Sequence, residues 1–274
     1  MTRRITKDTR LCMSLAARPS NIGTRFHNFL YDELGLDFVY KAFTTSDLAA
    51  AIGGIRALGI RGCGVSMPYK EDCIAYVDEL DASAGAIGSV NTIVNTDGHL
   101  HAYNTDYLAI ARLLAEHHVS PDTPFAVLGS GGMAKAVVAA LRDGGFGSGV
   151  VVARNAETGR ALAEQYGYAW QPEVGAARPR LVVNATPVGM TGGPAADELP
   201  VDEDALAAAD TVFDVVALPA LTPLVRRARE LDKNVITGAE VIALQALEQF
   251  VLYTGVRPTD DQMRRASEFS LREN

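Results

Sequence analysis

The chain has 274 residues, of which 48% are hydrophobic and 21% charged, so it can bury the core of one large domain or of two smaller ones. Its net charge of −8 and its lack of a basic stripe argue against a surface that binds duplex nucleic acid. Because no run of about 18 apolar residues occurs, we expect no membrane span.

Apolar runs alternate with helical patterns at the start of the chain. Thr24 is predicted to N-cap a first helix, and Thr45 or Ser46 to begin a second one. Three predicted strands flank these helices, at residues 11–15, 38–43 and 60–66.

Turn signals dominate the region after the third predicted strand. Pro68 stands where the N1 residue of another helix would be. Asp97-Gly98 predicts the tight turn of a β-hairpin between strands at 89–94 and 99–103. Asn104-Thr105-Asp106 then leads into a further helix.

The second half of the chain alternates strand-like and helix-like segments. Short apolar runs at 124–128, 150–153, 181–185, 211–216 and 234–237 are separated mostly by alanine-rich helical patterns. A long helix is predicted at 239–255, and a last one after Pro258. This alternation is typical of a parallel sheet with helices on both faces.

A glycine-rich turn follows the strand at 124–128. Gly129 allows a tight turn, and Gly131 lets main-chain N–H groups approach a phosphate at the start of the next helix. The pattern departs from G-x-G-x-x-G because Ala134 or Ala136 takes the third small position. The alternative is a plain loop. The predicted cofactor contacts in this turn are Gly129, Ser130, Gly131, Gly132, Met133 and Ala134.

Arg154 ends the next predicted strand, where an NAD-binding protein would usually carry Asp or Glu for the ribose 2′-hydroxyl. A cation at this position favours a 2′-phosphate, so the sequence predicts NADP. The alternative is a solvated arginine at a strand end, and the neighbouring Glu157 weighs against NADP.

The three cysteines are Cys12, Cys63 and Cys73, an odd number without a C-x-x-C pair. Disulfide and metal interpretations are therefore disfavoured, and free thiols in a reducing cytosol fit better. The first residues also lack the long apolar core of a signal peptide. We expect a cytoplasmic protein without a metal site.

Four polar residues are candidates for catalysis or for binding a substrate. Lys70 is predicted early in a helix just beyond a strand, and is either a solvated partner of Glu71 or a proton-transfer lysine. Asp106 at a helix start is either an N-cap or a functional carboxylate. Asn91 lies in a strand, and Gln245 lies in an apolar helix where an amide needs a partner.

Five segments in this order resemble the shikimate dehydrogenase family over essentially the whole chain. They resemble its catalytic-lysine segment, its substrate-binding asparagine strand, its N-T-D segment, its N-A-T-x-x-G-M loop beside the nicotinamide and its C-terminal glutamine helix. In the same order, the corresponding segments of this chain are Gly64 to Glu71, Ser89 to Thr92, Ala102 to Tyr107, Asn184 to Met190 and Gln245 to Phe250.

Two departures from the family pattern fall on substrate contacts. Where the family usually carries a Ser-x-Ser pair for the substrate carboxylate, this chain has Asn21-Ile22-Gly23. Where the family tends to carry a tyrosine after a strand end, Ala217 follows Asp214-Val215-Val216. The resemblance is therefore to a divergent, shikimate dehydrogenase-like branch.

The resemblance implies an α/β fold of two domains. An N-terminal α/β substrate domain would comprise residues 1–105 plus 241–274, and a Rossmann-type NADP domain with a parallel sheet would comprise 106–240. It implies hydride transfer between NADP and shikimate or a closely related cyclic hydroxy acid. Alternatives are a quinate-type dehydrogenase and a non-catalytic, NADP-binding regulatory protein. We expect a monomer or homodimer that binds neither nucleic acid nor membrane.

The resemblance also implies roles for individual residues. Lys70 and Asp106 would be catalytic. Substrate contacts would come from Ser20, Asn21, Ser66, Asn91 and Gln245. Cofactor contacts beyond the glycine turn would come from Arg154, Asn155, Thr186, Val215 and Gly238.

Overall fold

The structure is a computed structural model that describes residues 5–175 and 178–271. It divides into two compact units, the first formed by Met1–Thr105 and Ala243–Asn274 and the second by Asp106–Ile242. Each unit is built around one six-stranded sheet. Within the described residues, no helix combines the length and apolar character needed to cross a membrane.

The first unit contains a mixed sheet with the strand order β2-β1-β3-β5-β6-β4. Strand β1 is parallel to β2 and β3, whereas β5 runs antiparallel to β3 and β6. The strands are β1 (Arg10–Leu15), β2 (Phe38–Phe43), β3 (Gly62–Val65), β4 (Glu79–Leu80), β5 (Thr92–Thr96) and β6 (His99–Tyr103). Its helices are α1 (Ile22–Glu33), α2 (Leu48–Ala57), α3 (Ala82–Gly85) and α10 (Asp260–Ser270), with a 3₁₀ helix at Asp72–Tyr76.

Alternating side chains of β1 build the core on both faces of this sheet. Met13 and Leu15 pack with Ile52 of α2 on one face. Cys12 packs on the other face with aromatic residues of α1, β2 and helix α9 (Gly238–Thr254). All three cysteines are buried and free, as the sequence predicts.

The second unit contains a fully parallel sheet with the order β12-β11-β10-β7-β8-β9. Read from β9, the chain order is third, second, first, fourth, fifth and sixth, which is the Rossmann order. The strands are β7 (Phe125–Leu128), β8 (Gly149–Val152), β9 (Ala169–Gln171), β10 (Leu181–Asn184), β11 (Thr211–Asp214) and β12 (Asn234–Thr237). The connecting helices are α5 (Gly132–Asp143), α6 (Ala156–Tyr166), α7 (Glu203–Ala208) and α8 (Pro223–Glu230). Helix α4 (Thr105–Glu116) precedes β7.

Two predicted helix starts are wrong. Helix α1 begins at Ile22 after Asn21, so Thr24 lies inside the first turn and its buried Oγ1 has no partner among the described residues. Helix α2 is capped by Asp47, whose carboxylate accepts from the N–H of Ala50 at 2.9 Å. The Thr45 hydroxyl donates to the Asp47 carbonyl instead of capping the helix.

Candidate active site

One edge of the first sheet gathers the predicted substrate residues. The chain leaves β1, β3 and β6 and enters β5 at this edge, which we call the carboxyl edge of the first sheet. In α/β sheets, ligands bind at the carboxyl ends of parallel strands. The N–H of Ser66 donates to the Leu15 carbonyl at 2.9 Å, and the N–H of Val65 donates to the Asn91 carbonyl at 2.7 Å. These bonds fix Ser66 and Asn91 in neighbouring positions.

Lys70 lies in a turn at this edge and not in a helix, so the prediction of a helix beginning at Pro68 is wrong. The turn closes when the N–H of Tyr69 donates to the Ser66 carbonyl at 3.0 Å, and the 3₁₀ helix begins only at Asp72. The Tyr69 hydroxyl donates to the Thr45 carbonyl at 2.7 Å. The N–H of Val90 donates to the Lys70 carbonyl at 2.8 Å. Both ends of the turn are thereby held to the carboxyl edge.

Asn91 is 3% exposed, and its amide has a defined orientation. Its Oδ1 accepts from the main-chain N–H of Thr105 at 2.8 Å and from the hydroxyls of Thr92 at 2.8 Å and Thr105 at 3.1 Å. A main-chain N–H can only donate, so the atom that faces Thr105 must be the oxygen. Among the described residues, no hydrogen bond uses Nδ2 of Asn91, which leaves this donor for a ligand.

The remaining predicted substrate residues lie just before α1 and on α9. Ser20 and Asn21 are exposed and immediately precede α1, and the Asn21 side chain makes no capping bond. Gln245 is half-buried on α9. Asp106 is the second residue of α4, so it lies within the first turn and is not the N-cap.

The sequence analysis missed Gln249, which lies one turn after Gln245 on α9 and is 7% exposed. Its Nε2 donates to the Asn91 carbonyl at 3.1 Å and to the Thr92 hydroxyl at 2.9 Å. A second amide four residues after Gln245, in the same apolar helix, was the available signal. Helical residues spaced by four share a face.

The glycine turn of the second unit has the geometry of a dinucleotide cradle. Gly129 has φ +111°, and a Cβ there would lie 2.9 Å from the Ala185 carbonyl oxygen. A Cβ at Gly131 would meet no atom within 4 Å, so the main chain is open to a ligand there. Helix α5 begins at Gly132, and its N–H groups and positive dipole end face the same turn. The Ser130 hydroxyl bonds to that of Thr158 at 2.7 Å.

Arg154 is exposed and lies two residues beyond the end of β8, the strand next to β7. It forms no ion pair in the part of the chain that the structure describes. Asn155 N-caps α6, because its Oδ1 accepts from the N–H groups of Glu157 at 3.0 Å and Thr158 at 3.2 Å. The side chain of Asn155 is therefore engaged locally, while the Arg154 guanidinium is available for an anion.

The loops after β10 and β11 are tied together by a buried carboxylate. Asp214 is 0% exposed and accepts from Asn184 Nδ2 at 3.0 Å and from the Thr222 hydroxyl at 2.5 Å. Burial raises the pKa of Asp214, and these hydrogen bonds oppose that rise. The Thr186 hydroxyl donates to Asn184 Oδ1 at 2.6 Å. Asp214 and Asn184 therefore fix the loops that carry Val215 and Thr186.

Gly238 permits the closest main-chain approach in this region. A Cβ there would lie 2.4 Å from the Val216 carbonyl carbon. Only glycine allows α9 to start beside the end of β11. Gly238 and Val215 are therefore neighbours, and they lie directly after the ends of β12 and β11 in the second sheet.

These observations define a class, an α/β protein with a mixed-sheet unit and a Rossmann-type unit. A family model described as the shikimate dehydrogenase substrate binding domain matches residues 21–93. A shikimate dehydrogenase-like protein from Haemophilus influenzae is 53% identical over 266 residues, which are 97% of this chain and 98% of the relative. A shikimate dehydrogenase (NADP(+)) from Prosthecochloris aestuarii is 37% identical over 257 residues, 87% of this chain and 88% of the relative.

A solved structure shares this fold with both of its ligands bound. It is the shikimate 5-dehydrogenase from Thermus thermophilus in complex with NADP(H) and shikimate, at a TM-score of 0.84 and 29% identity. The match covers 96% of this chain and 100% of that one. The chain belongs to the shikimate dehydrogenase family, as the five sequence segments indicate.

Proposed function

We propose that this protein catalyses reversible hydride transfer between NADP and shikimate, giving 3-dehydroshikimate, or acts on a closely related cyclic hydroxy acid. The observation that carries the proposal is the arrangement at the carboxyl edge of the first sheet. The Lys70 carbonyl accepts from the N–H of Val90, the residue before Asn91, and Asn91 is oriented so that its Nδ2 has no partner among the described residues. The Thermus thermophilus relative binds shikimate and NADP(H) together.

Lys70 is assigned proton transfer at the reacting oxygen, and Asp106 is assigned to orient the lysine and the hydroxyl. Asn91 is assigned a hydrogen bond in which its Nδ2 donates to a ring hydroxyl of the substrate. The remaining substrate contacts are assigned to the following residues: Ser20, Asn21, Ser66 and Gln245.

The first unit is proposed as the substrate domain and the second as the NADP domain. The residues of the second unit fit a dinucleotide. Gly131 leaves open main chain for the pyrophosphate, the start of α5 supplies N–H donors, and Arg154 supplies a cation for the 2′-phosphate. NADP, when bound, accepts or supplies the hydride. Thr186, Val215 and Gly238 are assigned to the nicotinamide end.

The function is tested by assaying the purified protein with cyclic hydroxy acids, shikimate and quinate among them, and with NADP and NAD separately. We expect shikimate with NADP to give the highest kcat/KM, measured as NADPH absorbance. Binding of NADP without turnover of any substrate would instead identify a non-catalytic protein. A higher kcat/KM for quinate would identify a quinate-type dehydrogenase.

Binding of the substrate carboxylate is expected to be weak, because Asn21 and Gly23 occupy the positions at which the family usually carries serines. A carboxylate entering a protein site must exchange water for good donors. Gly23 offers only its main-chain N–H. We therefore predict measurable but poor shikimate activity with a high KM. We also expect a low kcat, because a poorly held ring is misaligned for hydride transfer.

Restoring the two serines should improve this activity. In the variant that combines Asn21→Ser and Gly23→Ser, we expect a lower KM for shikimate and an unchanged KM for NADP. The Cβ of a serine at position 23 would lie 3.7 Å from the Tyr40 ring, which is ordinary contact, so the fold should tolerate it. Gly53→Ser, in α2, serves as a control, because a Cβ there would meet no atom within 4 Å. If wild type already matches a typical family member on shikimate, the argument from the missing serines is wrong.

We also propose a cytoplasmic protein that is a monomer or homodimer. The three buried, free cysteines support a reducing compartment. Sedimentation of the purified protein would determine the oligomeric state, and fractionation of the source cells would determine the compartment.

A further inference from the structure

Gln249 makes a buried polar contact that the proposed roles above do not use. It lies on α9, and both hydrogens of its Nε2 have acceptors, the Asn91 carbonyl at 3.1 Å and the Thr92 hydroxyl at 2.9 Å. The Asn91 carbonyl also accepts the N–H of Val65 at 2.7 Å. Gln249 therefore joins α9 to the point where the chain enters β5.

The bond from Gln249 makes the Thr92 hydroxyl an acceptor and leaves its hydrogen for a different partner. A threonine hydroxyl has one hydrogen, and Gln249 occupies one of its acceptor positions. That single hydrogen goes to Asn91 Oδ1 at 2.8 Å. The Thr105 hydroxyl, at 3.4 Å from Thr92 Oγ1, is the competing partner. Because Gln249 is a donor to Thr92, the Thr92 hydrogen is left for another acceptor, and Asn91 Oδ1 is nearer than the Thr105 hydroxyl.

The sense of the Gln249 amide is set by the Asn91 carbonyl, which can only accept a hydrogen bond, so the atom that faces it must be Nε2. The NH₂ group of Gln249 therefore faces β5. Burial lowers the pKa of His27 to about 3, so the ring is neutral at pH 7 and has a single N–H. Its contact with Gln249 opposes that lowering. His27 Nδ1 is buried without a partner among the described residues.

The surroundings hold this arrangement rigidly. His27 stacks on Tyr40 with ring centroids 4.4 Å apart and planes 10° apart. A Cβ at Gly64 would lie 3.0 Å from the Tyr40 hydroxyl and 3.5 Å from both terminal atoms of Gln249. Glycine at this position therefore lets the Gln249 amide approach β3 and β5 closely.

We propose that Gln249 is a positioning residue for substrate binding: through Thr92 and the main chain of Asn91, it holds the Asn91 amide so that Nδ2 donates to a ring hydroxyl of the substrate. This inference rests on the proposed function. It assigns Gln249 a role that differs from that of Gln245, which is assigned direct contact with the substrate.

The test replaces Gln249 with methionine, which has similar length and no amide. We expect Gln249→Met to raise the KM for shikimate about tenfold or more, because small misplacements of binding groups have effects of this size. The KM for NADP should not change. Thr92→Val removes only the relay hydroxyl and should raise the KM for shikimate in the same way, even where the methionine variant folds poorly.

A double-mutant cycle separates positioning from general structural damage. In an Asn91→Ala background, Gln249→Met should add no further increase in the KM for shikimate, since the group it positions is gone. Tyr253→Phe is the matched control, because it lies one turn further on α9 and its buried hydroxyl has no partner among the described residues. We expect this control to retain the wild-type KM. Additive effects in the cycle, or equal changes in both KM values, would overturn the proposal.

A second measurement does not depend on turnover. The side-chain NH₂ signals of Asn91 in a ¹⁵N spectrum are identified as the pair that Asn91→Ala removes. Gln249→Met should shift or broaden this pair, and Tyr253→Phe should not. If wild type does not oxidise shikimate, the proposed function fails while these signals still decide the positioning. Unchanged Asn91 signals in Gln249→Met would refute the positioning role whether or not the enzyme is active.

Discussion

Lys70→Ala is expected to lower the kcat for shikimate oxidation by about 10²–10⁴-fold, the usual contribution of a general acid–base group. The turn that carries Lys70 is held by main-chain bonds to Val90 and Ser66, which the substitution leaves in place. We therefore expect the fold and the Kd for NADP to be retained. The measurement is steady-state turnover together with fluorescence titration of NADP.

A matched control for Lys70→Ala is Lys7→Ala. It removes the same charge, but Lys7 is paired with Asp8 at 2.8 Å and its side chain is 88% exposed. We expect wild-type turnover from this control. If Lys70→Ala also retains near-normal turnover, Lys70 has no part in proton transfer and the assignment of the carboxyl edge as a catalytic site loses its main support.

Arg154→Ala is expected to weaken NADP binding far more than NAD binding. Loss of one charge-assisted contact to the 2′-phosphate corresponds to about 1.5–3 kcal/mol, or roughly a 10- to 150-fold higher Kd. NAD lacks that phosphate, so its Kd should change little. Calorimetric titration with both cofactors measures the difference. Glu157, which lies in the first turn of α6, should weaken the contrast only slightly.

The control for this experiment is Arg160→Ala, on helix α6, which begins just after Arg154. The Arg160 guanidinium carbon lies 4.5 Å from the centroid of the Trp170 ring, so this arginine is engaged in packing. We expect Arg160→Ala to leave the ratio of the NADP and NAD dissociation constants unchanged. Equal weakening of both cofactors by Arg154→Ala would show that the arginine does not recognise the 2′-phosphate.

Local sequence was sufficient to predict secondary structure where glycines and apolar runs favour a single conformation. The predicted hairpin turn at Asp97-Gly98 is present, with φ values of 52° and 90° at these two residues. The strand at 234–237 has the predicted bounds, and the strand, glycine turn and helix around Gly129 follow in the predicted order. The short strands β4 and β9 were missed, since two or three residues carry too little periodicity to be recognised.

Local sequence was misleading where a distant group competes with a local preference. Pro68 is favourable at a helix start, yet the Tyr69 hydroxyl is bound by the Thr45 carbonyl and the Lys70 carbonyl by the N–H of Val90. These contacts hold a turn in place of the predicted helix. Thr24 is likewise a good N-cap by type, but the helix has already begun at Ile22.

The sequence by itself determined the family, the α/β class and the residue types available for chemistry, because motifs and periodicity are local properties of the chain. Only the tertiary structure decided which way the Asn91 amide faces. That orientation depends on Thr105, 14 residues away, and on Gln249, 158 residues away from Asn91. Hydrogen bonds between residues so far apart leave no periodic signal in the sequence. They form only when β3, β5 and α9 pack around the same buried polar groups.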